Sequence, residues 1–255
     1  MKPNHYLIVA NWKTQLPFDE ALTYVKDHHK QFIDLGKQAN TRIVLCPSFP
    51  ALYPLKTILH DSEIYLGAQD CSPFKSGAYT GQVCAESLSQ IGCTYCIIGH
   101  SERRKYNQET NSEIADKAAR LHERGIQPII CVGETKKEYD EKKTLVTLEQ
   151  QLSPILTSII DNQTWKLPFY IAYEPVWAIG TGVLPSIDEL NKTFDWLYNH
   201  TKHILGKEHI FGLLYGGSIS DQNVTEVKAI PTISGFLVGG ASLDFQKFNN
   251  IVNLL

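Results

Sequence analysis

The segment Tyr170-Ile-Ala-Tyr-Glu174-Pro-Val-Trp177-Ala-Ile-Gly180-Thr-Gly182 joins an apolar run to a single carboxylate and then to a loop that opens with proline and closes with glycines. Pro175 biases Glu174 towards an extended backbone, because the proline ring clashes with a helical conformation of the residue before it. Gly180 and Gly182 can adopt dihedral angles that larger residues avoid. The segment therefore predicts a strand that ends in one buried carboxylate, followed by a loop able to move over it.

Seven further apolar or β-branched runs share the pattern of the strand at Phe169 to Tyr173, spaced about one strand-plus-helix unit apart. They are Tyr6 to Ala10, Arg42 to Cys46, Ile64 to Gly67, Tyr95 to Ile98, Pro128 to Val132, Phe211 to Tyr215 and Gly235 to Val238. Helical patterns lie between them, as in Asp19 to Leu35, Asn111 to Arg124, Lys136 to Ile160 and Ser186 to Leu205. We therefore expect an α/β fold, a single (β/α)8 barrel domain with eight parallel strands over residues 1–255.

Size and charge narrow the functional class. The 255 residues are close to the length of one such barrel, and 43% hydrophobic residues are enough for a substantial core. Lys and Arg number 24 against 27 Asp and Glu, which gives a net charge of −3, and no basic run is long enough to follow a phosphate backbone. We expect no nucleic-acid partner.

Targeting signals and cysteine usage favour a cytoplasmic protein. The apolar run before Asn11 is too short for a secretory signal, and no stretch approaches the roughly 18 apolar residues of a membrane span. Six cysteines in a chain of this length do not make a disulfide scaffold. Cys93 and Cys96 have the spacing of a metal or redox motif, but they enter a strand and no second pair follows. We expect reduced thiols, no membrane association and no metal site.

Polar and glycine residues follow the predicted strands at their carboxyl ends. In chain order they are Asn11 and Lys13, Ser48, Gln69, His100, Gly133 and Glu134, Glu174, Gly216 to Ser218, and Gly239 with Gly240. A closed barrel gathers these ends around one mouth, so residues distant in sequence converge on one small-molecule site. This distribution by itself predicts an enzyme.

Two of these residues have the placement of proton-transfer groups. Glu174 could have the role of a solvated carboxylate or of an ion-pair partner of Lys13. Its position between an apolar strand and a glycine-containing loop favours the role of a general base. A lone histidine is usually a core residue. His100, however, ends a strand and precedes Ser101 and Glu102, a cap and first-turn pair, so a helix dipole favours a neutral imidazole that polarises a carbonyl.

Lys13 and Glu102 have weaker signals. Lysine usually extends over apolar surface, but beside Asn11 at a strand end Lys13 can neutralise an anionic substrate and stabilise developing negative charge. Glu102 is most simply a carboxylate in the first turn of a helix. As a candidate catalytic residue, Glu102 ranks after Glu174, His100 and Lys13.

Glycine pairs after the last two strands predict an anion site. Gly216-Gly217-Ser218 and Gly239-Gly240 occupy the ends where barrels often hold phosphate on backbone N–H groups and a short helix N-terminus. One such pair is commonly only a tight turn, whereas two on consecutive strands favour a dianion site. The chain has no Walker loop and no Gly-x-Gly-x-x-Gly, so the phosphate is expected on a small substrate, with no nucleotide cofactor.

Five motifs in order give the chain a resemblance to a known family. They are Asn11-Trp-Lys13, Ile98-Gly-His100-Ser101-Glu102-Arg103-Arg104, the Glu174 segment, Tyr215-Gly-Gly217-Ser218 and Phe236-Leu-Val-Gly239-Gly240. Together they resemble the triosephosphate isomerase family from about Tyr6 to about Phe248. The resemblance implies interconversion of dihydroxyacetone phosphate and glyceraldehyde 3-phosphate without metal or cofactor.

The resemblance also implies residue roles. Glu174 would move the carbon-bound proton, neutral His100 would polarise the carbonyl, and Lys13 with Asn11 would stabilise an enediolate. Glu102 would be a further polar member of the catalytic set. The phosphate would be held by Gly180, Ser218, Gly239 and Gly240. The lid would consist of Pro175, Val176, Trp177, Ala178, Ile179, Gly180 and Thr181.

A homodimer is implied by the resemblance as well. The segment Cys71 to Gly81 matches the family's loop that inserts into a partner subunit, with Thr80 expected near the partner's Asn11 and Lys13. The chain departs from the family at Gln82, where a glutamate commonly pairs with the arginine matching Arg103; here Arg103 is expected to find Glu109. A family Arg–Asp pair near the last two strands is also replaced, by Asp195 and Ser234.

Two other classes stay open at the level of sequence. Phosphate-binding barrels include lyases and synthases that share the sites after the last two strands, but these do not predict Asn11, Lys13, His100 and Glu174 together. A barrel that serves only as a binding scaffold has no need of that polar set and does not explain the lid. Formation of glyceraldehyde 3-phosphate from dihydroxyacetone phosphate separates all three.

Overall fold

The computed structural model describes residues 5–162, 165–206 and 208–255, and its strands form a closed barrel. The strands are β1 (Tyr6–Asn11), β2 (Thr41–Cys46), β3 (Tyr65–Ala68), β4 (Tyr95–Ile98), β5 (Gln127–Val132), β6 (Phe169–Tyr173), β7 (Phe211–Tyr215) and β8 (Ile233–Val238). All neighbours pair in parallel in chain order, and β8 pairs with β1. The predicted (β/α)8 fold class is confirmed. Residues 1–4, 163, 164 and 207 of the expected domain lie outside the described residues.

Helices connect successive strands around the outside of the barrel. They are α1 (Phe18–Asp27), α2 (His29–Gly36), α3 (Leu52–Ile58), α4 (Ala85–Ile91), α5 (Ser101–Tyr106), α6 (Asn111–Glu123), α7 (Lys136–Asp140), α8 (Thr144–Asp161), α9 (Ile187–Leu205), α10 (Val224–Lys228) and α11 (Phe245–Asn253). Short 3-10 turns occupy Phe49–Ala51, Val176–Ala178 and Gly240–Leu243. In the described part of the chain, none of these helices combines the length and apolar character that a bilayer span requires.

Side chains of each strand alternate between two apolar layers, because successive residues of a strand point to opposite faces. In β1, Leu7 and Val9 pack in the cluster that fills the barrel interior, whereas Ile8 and Ala10 pack in the cluster between the strands and the helices. All four side chains are almost completely buried. This double burial explains why the strands read as continuous apolar runs instead of alternating ones.

Barrel closure depends on a glycine in β8. A Cβ atom on Gly235 would lie 2.0 Å from the carbonyl oxygen of Leu7 in β1, far inside van der Waals contact. The register between β7 and β8 also shifts next to this glycine, at Leu213 and Leu214. The two ends of the sheet can therefore meet only where one strand carries no side chain.

Two of the expected helices are each divided in the structure. The stretch Asp19 to Leu35 is broken at His28, whose φ of −113° and ψ of 18° are not helical. The stretch Lys136 to Ile160 is broken after Asp140, where Lys142 takes a φ of 56°. A uniform apolar periodicity does not reveal such breaks, because a single non-helical residue changes the backbone but not the apolar pattern. Strand bounds agree with the predicted runs to within two residues.

Candidate active site

A cavity of about 220 Å³ opens at the carboxyl ends of the strands. Most of the residues predicted for the site line it: Asn11, Lys13, His100, Glu174, Gly180, Ser218, Gly239 and Gly240. They come from β1, β4, β6, β7, β8 and the loops that follow these strands. The predicted convergence at one barrel mouth is therefore observed in the structure.

Glu174 is buried directly after β6, with 2% of its surface exposed. One carboxylate oxygen, Oε2, accepts the backbone N–H of Ser101 at 3.2 Å, and Oε1 lies 3.1 Å from Nε2 of His100. Burial raises the pKa of Glu174, but His100 and the Ser101 N–H lower it further, so that the net pKa is below its ordinary value of 4.5. The group is ionised at neutral pH and held within the cavity wall.

Two glycines leave the space that Glu174 occupies. A Cβ atom on Gly133, at the end of β5, would lie 1.7 Å from the carbonyl oxygen of Glu174. A Cβ atom on Gly216, at the end of β7, would lie 2.8 Å from Cγ of Glu174. The strands on either side of β6 thus end in residues without side chains, which allows the carboxylate to sit between them.

His100 is the N-cap of α5 and faces Glu174. Its Nδ1 atom accepts the backbone N–H of Glu102 at 3.2 Å, so in a neutral ring the proton is on Nε2, the atom that points to Glu174. Burial lowers the pKa of His100, whereas the Glu174 carboxylate raises it, and the net pKa is above 6.5. The N–H of Glu102 therefore favours the neutral ring and the neighbouring carboxylate favours the charged one. Neutral His100 stays a prediction.

Lys13 has a left-handed backbone, with a φ of 52°. Oδ1 of Asn11 accepts the Lys13 N–H at 3.1 Å, and the amide of Gln69 donates to the Lys13 carbonyl at 2.7 Å. The side chain reaches back to Glu102, with 2.5 Å between Nζ and Oε1. Lysine rarely adopts this backbone conformation, so three neighbours hold it there and direct the ammonium group to the cavity.

The loops after β7 and β8 form the glycine-rich end of the cavity. Gly239 is the N-cap of the 3-10 turn Gly240–Leu243, and Gly239, Gly240 and Ala241 line the cavity. No atom lies within 4 Å of the position that a Cβ on Gly240 would take, apart from its chain neighbours. Backbone N–H groups at such a turn can approach an anion closely.

A family model described as triosephosphate isomerase matches residues 6–255, which includes all of the cavity residues. The chain belongs to the triosephosphate isomerase family. It is similar to the triosephosphate isomerase of Wolbachia from Brugia malayi, with 38% identity over 97% of this chain and 96% of that protein. It is also 39% identical to that of Dictyoglomus thermophilum, over 96% of this chain and 98% of the relative. The family shows that the chain is an isomerase.

Ser218 and Glu102 are placed differently from the other predicted site residues. The Ser218 hydroxyl donates to the carbonyl of Ala178 at 2.8 Å, so it contacts the lid as well as the cavity. Glu102 does not line the cavity; its side chain is 45% exposed and contacts Lys13. The structure thus places Glu102 beside the site, within reach of a residue that lines it.

The predicted lid residues divide between two environments. Ile179 and Gly180 line the cavity, while Trp177 turns to α7, where its ring lies 4.4 Å from that of Tyr139. Gly180 and Gly182 take φ angles of 70° and 75°, as the sequence predicts for the glycines that end the loop. Only part of the apolar group Val176 to Ile179 therefore faces the barrel mouth.

Glu134 holds the beginning of this loop, a role that the sequence analysis did not assign to it. Glu134 is completely buried, its backbone carbonyl accepts the N–H of Val176, and its Oε1 accepts the indole N–H of Trp177 at 2.8 Å. The hydroxyl of Tyr173 also donates to the carboxylate. Burial raises the pKa of Glu134. Its position after β5 was visible in the sequence, but its partners come from another strand and loop. Gln69 was also visible at a strand end, but its bond to the Lys13 carbonyl was not foreseen, for the same reason.

The segment Cys71 to Gly81 follows β3 and has exposed side chains from Phe74 onward. Within it, the rings of Phe74 and Tyr79 stack at 4.2 Å while both remain more than two-fifths exposed. Thr80 is exposed beside Gly81, which has a φ of 84°. An exposed aromatic pair in a loop is typical of a surface that contacts another molecule.

The departures from the family have local consequences. Arg103 Nε lies 3.5 Å from Glu109, as expected, and closer still, at 2.9 Å, to Asp70, which the sequence did not indicate. Asp195 is exposed and forms no ion pair with any described residue. Among the residues that the structure describes, no group of three His, Cys, Asp or Glu side chains could hold a metal ion.

Proposed function

We propose that the chain interconverts dihydroxyacetone phosphate and D-glyceraldehyde 3-phosphate by proton transfer through an enediolate. The observation that carries the proposal is the contact between two buried groups of opposite proton-transfer character, Glu174 and His100, in a cavity that also contains Lys13 and the glycine-rich turn. The names of the relatives support the same substrate pair.

In the proposed reaction Glu174 is the base. Its ionised carboxylate takes a proton from C1 of dihydroxyacetone phosphate, the C–H electron pair forms the C1–C2 double bond, and the carbonyl electrons move to the oxygen on C2. His100 donates its Nε2 proton to that oxygen and receives the proton of the hydroxyl on C1. Glu174 then returns its proton to C2. The pKa of Glu174, held below its ordinary value, supports the ionised starting state.

Lys13 and Asn11 stabilise the negative charge of the enediolate. The ammonium group of Lys13 stabilises the transition state more than the bound substrate, because negative charge develops on the substrate within a partly dry cavity. Glu102 holds Lys13 in position through the contact between Nζ and Oε1, and Asn11 and Gln69 fix its backbone. Glu102 therefore acts through Lys13, as a positioning residue.

The substrate phosphate is proposed to bind at Gly180, Ser218, Gly239 and Gly240. The backbone N–H groups of the turn that begins at Gly240 supply donors for a dianion. Residues Pro175 to Thr181 close as a lid over the bound substrate. The bond between Ser218 and the Ala178 carbonyl supports a lid that touches the phosphate loop. No metal or cofactor takes part in this proposal.

The proposal is tested by coupled detection of glyceraldehyde 3-phosphate from dihydroxyacetone phosphate, with and without EDTA. We expect isomerisation that resists the chelator. Glu174→Gln is expected to lower kcat by orders of magnitude while phosphate-analogue binding is largely retained, because it removes the base and leaves the anion site. Cleavage or condensation products instead of the isomer would favour a lyase or synthase, and no turnover at all would favour a binding scaffold.

We also propose one catalytic domain per chain and a homodimer that forms through Cys71 to Gly81, with Thr80 against the partner's site. The exposed Phe74 and Tyr79 rings support this surface. Light scattering should give twice 28.7 kDa at low and high salt, because packing and not charge holds the surface together. If the native chain is a monomer at micromolar concentration, the proposed dimer is contradicted. The double variant Phe74→Asp and Tyr79→Asp is expected to be monomeric.

A further inference from the structure

A second cavity, of about 490 Å³, lies between the lid and helices α7, α8 and α9. Trp177 of the lid forms part of its wall, together with Tyr139 and Pro185. No residue lines both this cavity and the active-site cavity, so the two are separate although each includes lid residues. Its volume falls within the range of roughly 300–1,000 Å³ that is usual for small-molecule sites.

The inner surface of the cavity is aromatic and apolar. Tyr173, Leu190 and Thr193 form buried parts of the lining. The rings of Trp177 and Tyr139 lie 4.4 Å apart at an interplanar angle of 36°, and both contribute to the wall. A flat ring system is the ligand shape that such walls contact best, because aromatic faces add a specific stacking interaction to the burial of apolar area.

The acidic and basic side chains that line the cavity differ in how many partners they have within the protein. Asp140 is paired with Lys136, and Glu189 accepts hydrogen bonds from the hydroxyls of Tyr139 and Ser186. Lys142 and Lys192 also line the cavity, and neither forms an ion pair with any residue that the structure describes. Hydrogen bonds from Ser186 and Tyr139 and the nearby charge of Lys192 lower the pKa of Glu189, so this carboxylate offsets one of the two lysines. One positive charge is left for a ligand to neutralise.

We propose that this cavity is a binding site for a planar aromatic carboxylate. The ring system packs against Trp177 and Tyr139, and the carboxylate is directed to the ammonium groups of Lys142 and Lys192. The site is distinct from the phosphate site of the proposed isomerase reaction, because it offers aromatic walls and lysines where the other offers glycine backbone.

The test is calorimetric titration of the full chain with 2-naphthoate in the presence of saturating inorganic phosphate. The neutral 2-naphthamide serves as the matched probe. We expect naphthoate to bind, and Lys142→Gln and Lys192→Gln each to weaken it about threefold, the effect of one solvent-exposed ion pair, without changing naphthamide binding. Lys137→Gln is the control, because Lys137 is on α7 but does not line the cavity.

A second pair of variants tests the location. Leu145→Trp places a larger side chain into the cavity, and since Leu145 is 41% exposed the change can be accommodated; it should abolish binding. Val146→Trp, at the more exposed neighbouring position outside the cavity, should leave binding intact. If Leu145→Trp does not fold, the double lysine variant carries the test, with an expected loss of about ninefold if the two effects add.

Three results of the titrations overturn the proposal: no binding of naphthoate, binding that Leu145→Trp leaves unchanged, or naphthoate binding that neither lysine variant weakens. Inhibition of turnover that excess substrate relieves, and that Leu145→Trp retains, would place naphthoate in the active-site cavity and also overturn it. The titrations do not use the isomerase reaction, so their outcome is independent of the proposed function.

Discussion

Nε2 of His100 lies 3.1 Å from Oε1 of Glu174, and both side chains are almost fully buried. The contact raises the pKa of His100 and lowers that of Glu174, although burial acts in the opposite direction on each. Each group therefore influences the protonation state of the other. A change at one member of the pair should be detectable at the other.

Glu174→Gln is expected to lower the pKa of His100. In the native protein the carboxylate holds this pKa above 6.5, and without it the strongest remaining influence is burial, which disfavours the imidazolium. The measurement is a titration of the imidazole ¹⁵N shifts between about pH 5 and pH 8, the range in which histidine changes charge. His100→Asn assigns the resonance. A pKa that stays where it is in the native protein would contradict the electrostatic reading of the pair.

Glu102→Gln is expected to lower kcat by about tenfold with a smaller change in KM, because it removes the anchor of Lys13 and so about 1.4 kcal/mol of transition-state stabilisation. Glu102→Asp should not restore kcat, since the shorter side chain does not reach Nζ. The steady-state constants of both variants are the measurement. An Asp variant with native kcat would show that the charge alone matters, and unchanged constants in both would leave Glu102 only as a helix-end carboxylate.

Gly133→Ala is expected to destabilise the protein by about 1–3 kcal/mol, the usual cost of overpacking. The added methyl group would lie 1.7 Å from the Glu174 carbonyl, so the backbone that carries the base must move and kcat should fall as well. Gly240→Ala is the stability control, because no neighbour lies within 4 Å of its methyl position. Urea unfolding of both variants gives the difference. Equal stability of the two would contradict the steric role of Gly133.

Deletion of Trp177 to Ile179, with glycines added to keep the loop connected, is expected to lower kcat strongly and to release inorganic phosphate and methylglyoxal during turnover. In the proposed reaction the closed lid would exclude water and hold the enediolate phosphate in a geometry that resists elimination. Phosphate release is measured beside isomer formation. Normal turnover with only background phosphate release would reduce Pro175 to Thr181 to a connection between β6 and α9.

A matched substitution distinguishes two functions of the proposed lid: its hydrogen bond to Glu134 and its shielding of the bound intermediate. Trp177→Phe keeps an aromatic ring against Tyr139 but removes the N–H that Glu134 accepts. Because the loop retains its length, this variant should lower kcat without phosphate release. Release from the Phe variant at the level of the deletion would mean that the anchor alone determines whether the intermediate is protected.

The fold followed from local patterns in the sequence. Eight apolar runs separated by helical stretches imply a parallel sheet that is covered on both faces, and the number eight favours its closure into a barrel. Helix ends are also determined by residues close in sequence. Ser186 caps α9 with Glu189 in a capping box, and Gly206 ends the helix with a φ of 72°. Residues at strand ends could be named as a site because closure brings them together whatever the loops do. Glu174 and His100 were predicted on this basis.

Only the tertiary structure decided how those residues are held. Lys13 reaches Glu102, 89 positions away, and its left-handed backbone depends on Gln69 from another strand end. The carboxylate of Glu134 accepts a hydrogen bond from the indole N–H of Trp177, 43 positions later, and no spacing in the sequence predicts that bond. A sequence pattern reports the face on which a side chain lies. Which partner it meets depends on the path of loops from different strand-helix units, and these are fixed only when the barrel closes.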